Sequence, residues 1–521
     1  MIMRRIIFGL SLLITITGFS QKKQIIVLTR EKIMGKCLVD SFDIKGVEYV
    51  FSDRIHGIFL DTTTGFLTAQ LRGLSNNGKW VNNNGNIVQY DIKNQNVLWS
   101  KKIAYQSSNL QQFSKTMIYT VANKSYCLDI NTGNELWEVK NNIYFVDPID
   151  NIGIGYKFKS STGYSNELEG IDLKNGNVIW KRDLNREYGW NDVFYINDST
   201  VIIVAAGLHS INIKTGKGWD YNTITGKKDY TGTAAVNAVG VGLGLLTGTF
   251  VMSTGHDLVR DLVSNTITDS SSIYLASKEQ LVKIDKQSGE IIWKFPFSDD
   301  LVSKSTIFMN DSVIFMINNG MAFMGYRQLD FGKPFFAAFD KQTGKQKFLS
   351  LINVKDNPIL SYQIQNGEIL LIFKNRISKY SMETGNLIAE KDFLKDNVGE
   401  LKYFIGNQVF ITNQNGDLIS LPQSDSTKVF VFTSQGKTLC IDSELNISKT
   451  IEYADLSICY LRTKDLKFIA KDKKTLIVNN EGKKIAEINA TSNAFIIGNT
   501  LYDIQDKSFI TMDLSEIIKN E

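Results

Sequence analysis

Three histidines, His56, His209 and His256, are the only side chains whose ordinary pKa lies close to neutrality. One of them is followed directly by a carboxylate, His256-Asp257, and a base held by an acid is the elementary unit of proton-transfer chemistry. A lone dipeptide of this kind in a loop is weak as a signal. His209 follows the apolar run Val201 to Leu208 and reads as a strand-end residue rather than a ligand. With so few imidazoles, a His-rich metal centre is excluded unless carboxylates complete it. The four cysteines, Cys37, Cys127, Cys440 and Cys459, contain no Cys-x-x-Cys-His haem-attachment pattern. The spacing Gly240-x-Gly242-x-Gly244 invites a phosphate-loop reading, but no Lys-Ser/Thr pair follows and no acidic residue sits where a dinucleotide fold needs it. Asn175-Gly176, Asn319-Gly320 and Asn415-Gly416 mark hairpin turns. No residue is therefore assigned a catalytic, cofactor-binding or metal-binding role, and no cofactor is expected.

The elements that would have to position any site announce themselves through repetition. The order Asp-x-x-x-Gly-x-x-x-Trp occurs at Asp129, Gly133 and Trp137, at Asp172, Gly176 and Trp180, and at Asp285, Gly289 and Trp293. Weaker copies keep the offsets and lose an anchor: Asp91 with Gln95 and Trp99, Asp340 with Gly344 and Phe348, Ser381 with Gly385, Asn212 with Gly216. Each copy follows alternating apolar stretches such as Met117 to Val121 and Ser125 to Leu128, the pattern of two short strands joined by a turn. The Asp opens the next turn by accepting backbone N–H groups, the Gly supplies a positive φ, and the aromatic starts the outgoing strand. A large ring at one fixed place per unit offers apolar area at little entropic cost, which suits docking between units. Positions 91, 129, 172 and 212 step by roughly forty residues, the length of one four-stranded blade. The spacing predicts a single all-β propeller of about eight four-stranded blades, with seven or more than eight as alternatives.

The nine-residue signature resembles the repeat of the pyrroloquinoline-quinone-type propellers over residues 85 to 390. That family includes quinone-dependent dehydrogenases and also non-catalytic scaffolds, such as the propeller lipoprotein of the outer-membrane-protein assembly machinery. The resemblance implies a fold more firmly than an activity. The dehydrogenases' quinone stacks beside a disulfide of adjacent cysteines, and this chain has no Cys-Cys pair. Their calcium needs a carboxylate and amide cluster that no residue set here singles out.

Arg4-Arg5, the apolar run Ile6 to Ile16 and the small-residue end at Ser20 read as a signal peptide over residues 1–20, leaving a propeller domain over 21–521. The expected location is periplasmic or secreted. The first cysteine is Cys37, so the lipid-anchored form is not expected. Lys+Arg 58 against Asp+Glu 54 gives a net charge of +4, a balance that argues against a nucleic-acid partner. Export permits a disulfide, and Cys440 and Cys459 are placed here on neighbouring strands of one blade, either bridged or as small core residues.

One interval departs from the repeat. Between Asn212 and Asp285 an insertion at about 225–257 carries the charge-free stretch 234–252, with Gly240, Gly244 and Gly248 at four-residue spacing. On a helix these three would form a smooth face for close contact with a partner or a membrane. The alternative is a Gly-rich loop packed on the propeller. Trp219 and Tyr221 lead in, and His256-Asp257 with Arg260-Asp261 lead out.

The expected function is an exported, non-catalytic propeller that acts as a protein-binding scaffold in the cell envelope, since blades present a broad rigid rim. Its partner would be an envelope protein, with peripheral membrane contact through 234–252 as a variant. The alternatives are a ligand- or glycan-binding or membrane-associated propeller, and a quinone-dependent dehydrogenase.

Overall fold

In the computed structural model residues 27–519 are described, except 229–257, 420–427 and stretches of one to five residues elsewhere. The proposed signal peptide and the glycines Gly240, Gly244 and Gly248 lie outside the described residues, as do His256 and Asp257.

Alternating apolar residues fold into consecutive antiparallel meanders. Eight separate four-stranded sheets, blades 1 to 8, occupy residues 54–104, 108–139, 141–183, 192–222, 267–296, 305–351, 361–392 and 401–451. Each rises by short turns from an inner to an outer strand, and each strand's apolar residues face the neighbouring blades. Ile152, Ile154 and Tyr156 of blade 3, for example, pack with Val201, Ile203 and Ile211 of blade 4. The expected count of about eight fits these separate blades.

A ninth four-stranded sheet lies outside the blades, and an eleven-stranded sheet holds the remaining strands. It contains a four-strand meander over 455–488, here blade 9, and the C-terminal strands Phe495–Ile497, Thr500–Gln505 and Ser508–Asp513. The N-terminal strand Asp43–Val50 completes the latter as blade 10, with Val47 opposite Thr511 and Tyr49 opposite Phe509. The strand Leu28–Cys37 lies outside it and spans to blade 9, where Gly35 to Cys37 pair with Ile488 to Ala486. Closure thus pairs the N-terminal strand Asp43–Val50 with the C-terminal strand Ser508–Asp513. Buried Glu48 ties three strands together through Arg30 at 2.5 Å and the Ser508 hydroxyl at 2.9 Å. The free edge of Leu28–Cys37 carries Arg30, Glu31 and Lys32, charges that discourage pairing with another chain.

Two blades are longer than the repeat because hairpins interrupt them. Met321–Met324 and Arg327–Asp330 are inserted into blade 6, and Val409–Thr412 and Leu418–Ile419 into blade 8. Of the latter two, Val409–Thr412 pairs with Asp455 to Ile458 of blade 9.

Two local expectations are corrected. Val201 to Leu208 is not one strand: Thr200–Ala205 and Gly207–Asn212 form a hairpin, with Gly207 at φ 127 where a Cβ would strike the Tyr221 carbonyl. His209 therefore sits inside a strand, opposite Ile203 and Asp220. Cys440 and Cys459 belong to blades 8 and 9, not to one blade, and all four cysteines are free and buried.

Candidate interaction site

The signature residues meet across every seam from blade 1 to blade 6. In blade 2 the Asp129 carboxylate accepts the backbone N–H groups of Asn131 and Thr132 at 3.0 and 2.8 Å, and Gly133 takes φ 69. Asp172 and Asp285 open their turns in the same way, with Gly176 at φ 77 and Gly289 at φ 74. A bulge just after each turn then brings the ring opposite the residue two before the Asp, so Trp137 pairs with Cys127 and Trp180 with Gly170. Each indole lies over the glycine of the next blade and donates to the carbonyl after that blade's turn-opening residue. Trp99 donates to Ile130 at 2.8 Å, Trp137 to Leu173 at 2.9 Å, Trp180 to Ile213 at 2.7 Å and Trp293 to Lys341 at 3.2 Å.

The sequence reading missed one member of this girdle. Trp219, grouped with the insertion, is the ring of blade 4: it covers Gly289 and donates to Lys286 at 3.0 Å. Its turn is one residue shorter between Gly216 and the ring, which broke the motif's spacing. Phe348 covers Gly385 without an N–H to donate. Where the ring is missing, the glycine is dispensable. Ala389 stands at the ring position of blade 7, and Leu445 at φ 66 occupies the facing turn of blade 8. Blade 10 ends in the N-terminal strand, and Gln95 at φ 54 replaces the glycine of blade 1.

At the end of blade 4 the chain leaves the repeat. Asp220 binds His209 Nδ1 at 2.6 Å and Arg182 of blade 3 at 2.6 Å. An ionised carboxylate only accepts, so Nδ1 carries the proton. Arg182 also donates to the Ser210 carbonyl at 2.6 Å and to that of Trp219 at 3.2 Å. Burial pushes the Asp220 carboxyl up, but the His209 hydrogen bond and the Arg182 charge outweigh it and hold it below the ordinary value. His209 is buried and its Nε2 has no partner among the described residues. The cluster clamps blade 3 to blade 4 beneath the exit of the insertion. Tyr221 accepts a bond from Gln280 of blade 5 at 2.9 Å.

The two ends of the insertion return to one sheet. Lys227–Lys228 pairs with Leu258–Arg260, which pairs with the blade 6 hairpin, in the order Lys227–Lys228, Leu258–Arg260, Met321–Met324, Arg327–Asp330. Strand alternation puts the exit from blade 4 and the hairpin of blade 6 on the same end of the propeller, and this stem sheet joins the two, with its first two strands flanking residues 229–257 in the chain. Around the circumference, outer strands expose aliphatic pairs just before the ring position: Val178 with Ile179, Ile291 with Ile292, and Leu387 with Ile388. Among the described residues no three His, Cys, Asp or Glu side chains gather as metal ligands would.

The seam between blades 5 and 6 carries a titratable link. Burial raises the Asp269 carboxyl, but bonds from Tyr274 at 2.7 Å, from the Ser271 and Ser272 N–H groups, and the Lys341 charge bring it down to about 2. Because the folded value is depressed, this stabilisation is complete above the ordinary carboxylate range and is lost as pH falls from about 4 toward about 2. Asp269→Asn is expected to cost about 2 kcal/mol at pH 7 and far less at pH 2, read from urea midpoints at the two pH values. An equal loss at both would contradict the link.

A family model described as outer membrane protein assembly factor BamB matches residues 165–446. No curated protein matches the chain. Among solved structures, BamB from Moraxella catarrhalis is similar at 11% identity, covering 73% of this chain and 96% of that one, with a TM-score of 0.30. Apo AztD from Citrobacter koseri is similar at 9% identity, covering 70% and 91%, with a TM-score of 0.30. Quinohemoprotein alcohol dehydrogenase from Comamonas testosteroni is similar at 12% identity, covering 70% and 73%, with a TM-score of 0.32.

Proposed function

From the premise that this chain belongs to the PQQ-like β-propeller family of the outer membrane protein assembly factor BamB, we propose that it is an exported propeller serving as a protein-binding scaffold in the cell envelope. The observation that carries the reading is the family match over residues 165–446, which runs from within blade 3 into blade 8 and includes the stem sheet. The stem supports it further. A blade needs no such addition to close, and both ends of the insertion are held in one four-stranded sheet on one end of the molecule. In this reading 1–20 is removed on export, and Gly240, Gly244 and Gly248 belong to the partner-binding segment. The exposed aliphatic pairs of the outer strands supply a second, broader contact surface.

Protein purified from its native host tests this reading. The expected material comes from the envelope fraction, begins at Gln21 and contains no stoichiometric quinone. Recovery from the cytoplasm with Met1 retained would refute export, and stoichiometric quinone with dye reduction on alcohols would replace the scaffold with a dehydrogenase.

A further inference from the structure

The second and third strands of blade 1 outgrow those of the next blade. Phe66–Leu74 and Val81–Asp91 are 9 and 11 residues long, against 6 and 5 for Thr116–Val121 and Lys124–Leu128 of blade 2, and their pairing extends to Leu74 opposite Val81. The turn beyond them is held by its own bonds: the Ser75 N–H donates to the Trp80 carbonyl at 2.7 Å, and the Trp80 N–H donates to the Ser75 hydroxyl at 3.1 Å. It nevertheless presents exposed apolar side chains, Leu74, Val81 and Trp80, the last of them 73% exposed. Water gives no reason for an indole at a hairpin tip, whereas Trp is among the residue types most enriched where partners bind. The Met321–Asp330 hairpin likewise joins the second and third strands of its blade, so the blade 1 tip stands on the stem's end of the propeller.

At the base of this tip lies a buried cation without an acid. Arg72 is 5% exposed, its Nε donates to the Asn82 carbonyl at 2.7 Å, and its guanidinium lies 4.8 Å from the centre of the Tyr105 ring. Its two Nη groups make no hydrogen bond and no ion pair among the described residues. Arg54 and Lys101 on the flanking strands are more exposed, and both are paired, with Asp506 and Glu135. Gly85 stands opposite Arg72, where a Cβ would strike the Leu71 carbonyl and the Tyr105 ring. His56 sets its imidazole edge-on to the same ring at 5.1 Å, and burial together with the Arg72 charge holds it below its ordinary value. Arginine is almost never this buried unless it is paired, because its charge has left water. With Nε engaged, the two Nη groups remain as parallel donors, the fork that matches the two oxygens of a carboxylate.

We propose that Arg72 is the carboxylate anchor of a protein-docking site at the tip of blade 1. The occupant is a partner segment in which a carboxylate neighbours an apolar side chain: the carboxylate pairs with Arg72 beside Tyr105 and His56, and the apolar side chain covers Leu74, Val81 and Trp80. The inference rests on the scaffold reading and gives the chemistry of the partner at a place separate from the insertion. A bound carboxylate supplies the counter-charge that the burial of Arg72 lacks. It also cancels the charge that depresses His56, so binding and the protonation of His56 are linked.

The test titrates the full chain at constant ionic strength with N-acetyl-leucine, whose carboxylate adjoins an apolar side chain, and with N-acetyl-leucinamide, which lacks the charge. A leucyl-aspartyl dipeptide amidated at its end separates a side-chain carboxylate from a chain end. NMR follows the His56 ring and the Trp80 indole, assigned through His56→Gln and Trp80→Ala. The expected result is that one or both acids raise the pH midpoint of His56 by at least about 0.3 and move the Trp80 signal, while the amide does neither. Arg72→Gln should abolish the response, and Trp80→Ala should weaken binding at least about fivefold with an unchanged melting temperature. If Arg72→Gln misfolds, the contrast between acid and amide in the wild type decides alone. No response to either acid, an equal response to the amide, a larger response to inorganic phosphate, a response that survives in folded Arg72→Gln, or undiminished binding by Trp80→Ala would each overturn the site. Failure of the probes would leave the scaffold reading standing, and recovery of the protein from the cytoplasm would remove that reading without altering the probe result.

Discussion

Trp180→Ala is expected to lower the unfolding free energy by about 3–5 kcal/mol, the cost of emptying a site filled by a buried aromatic ring. Trp180 is 8% exposed, donates to the Ile213 carbonyl at 2.7 Å, and fills the space between Gly170 of its own blade and Gly216 of the next. Removing it leaves a cavity in the core shared by blades 3 and 4 and an unpaired carbonyl at its edge. Urea denaturation followed by tryptophan-independent circular dichroism reads the loss. A shift below about 1 kcal/mol would contradict the ring as the adhesive between blades.

The second large effect comes from the other side of the same contact. Gly216 has φ 69, and a Cβ there would lie 2.5 Å from the Trp180 ring. Gly216→Ala therefore combines a left-handed backbone with a clash against a ring that has no room to move, for a loss of roughly 2–4 kcal/mol. The two substitutions should couple, because removing the ring relieves the clash. Trp180→Ala with Gly216→Ala is expected to cost at least about 1 kcal/mol less than the sum of the single variants. Strict additivity would mean that ring and glycine act independently. Blade 8 illustrates the principle: opposite Ala389, the turn carries Leu445 at φ 66, buried, with no ring to displace.

These contacts explain what could be read from the chain beforehand. Asp, Gly and Trp are legible because each does one local task at a fixed offset, and the offset is set by a turn and a bulge rather than by distant packing. Trp219 escaped because its turn is a residue shorter, although its partner Gly289 carried the full motif. Blade length misled wherever pairing is non-local. The hairpins Met321–Asp330 and Val409–Ile419 lie within blades 6 and 8, and nothing in their own composition says that one will pair with Leu258–Arg260 and the other with blade 9. The same holds for Leu28–Cys37, whose partners include residues more than four hundred positions away. His209 looked like a strand end because Gly207 permits a hairpin that apolar patterning alone cannot reveal. The stem sheet follows from the same kind of long-range pairing, so the sequence could single out the insertion without indicating what holds it.

The account rests on the stem and its insertion being the route to a partner. Chemical cross-linking in envelope fractions, with full-length protein compared to a chain lacking Thr231 to Thr254, tests this most directly. The account predicts one envelope protein recovered in stoichiometric amount with the full chain and lost with the deletion, while the melting temperature of the propeller is unchanged. Equal recovery of that protein with both chains would contradict it.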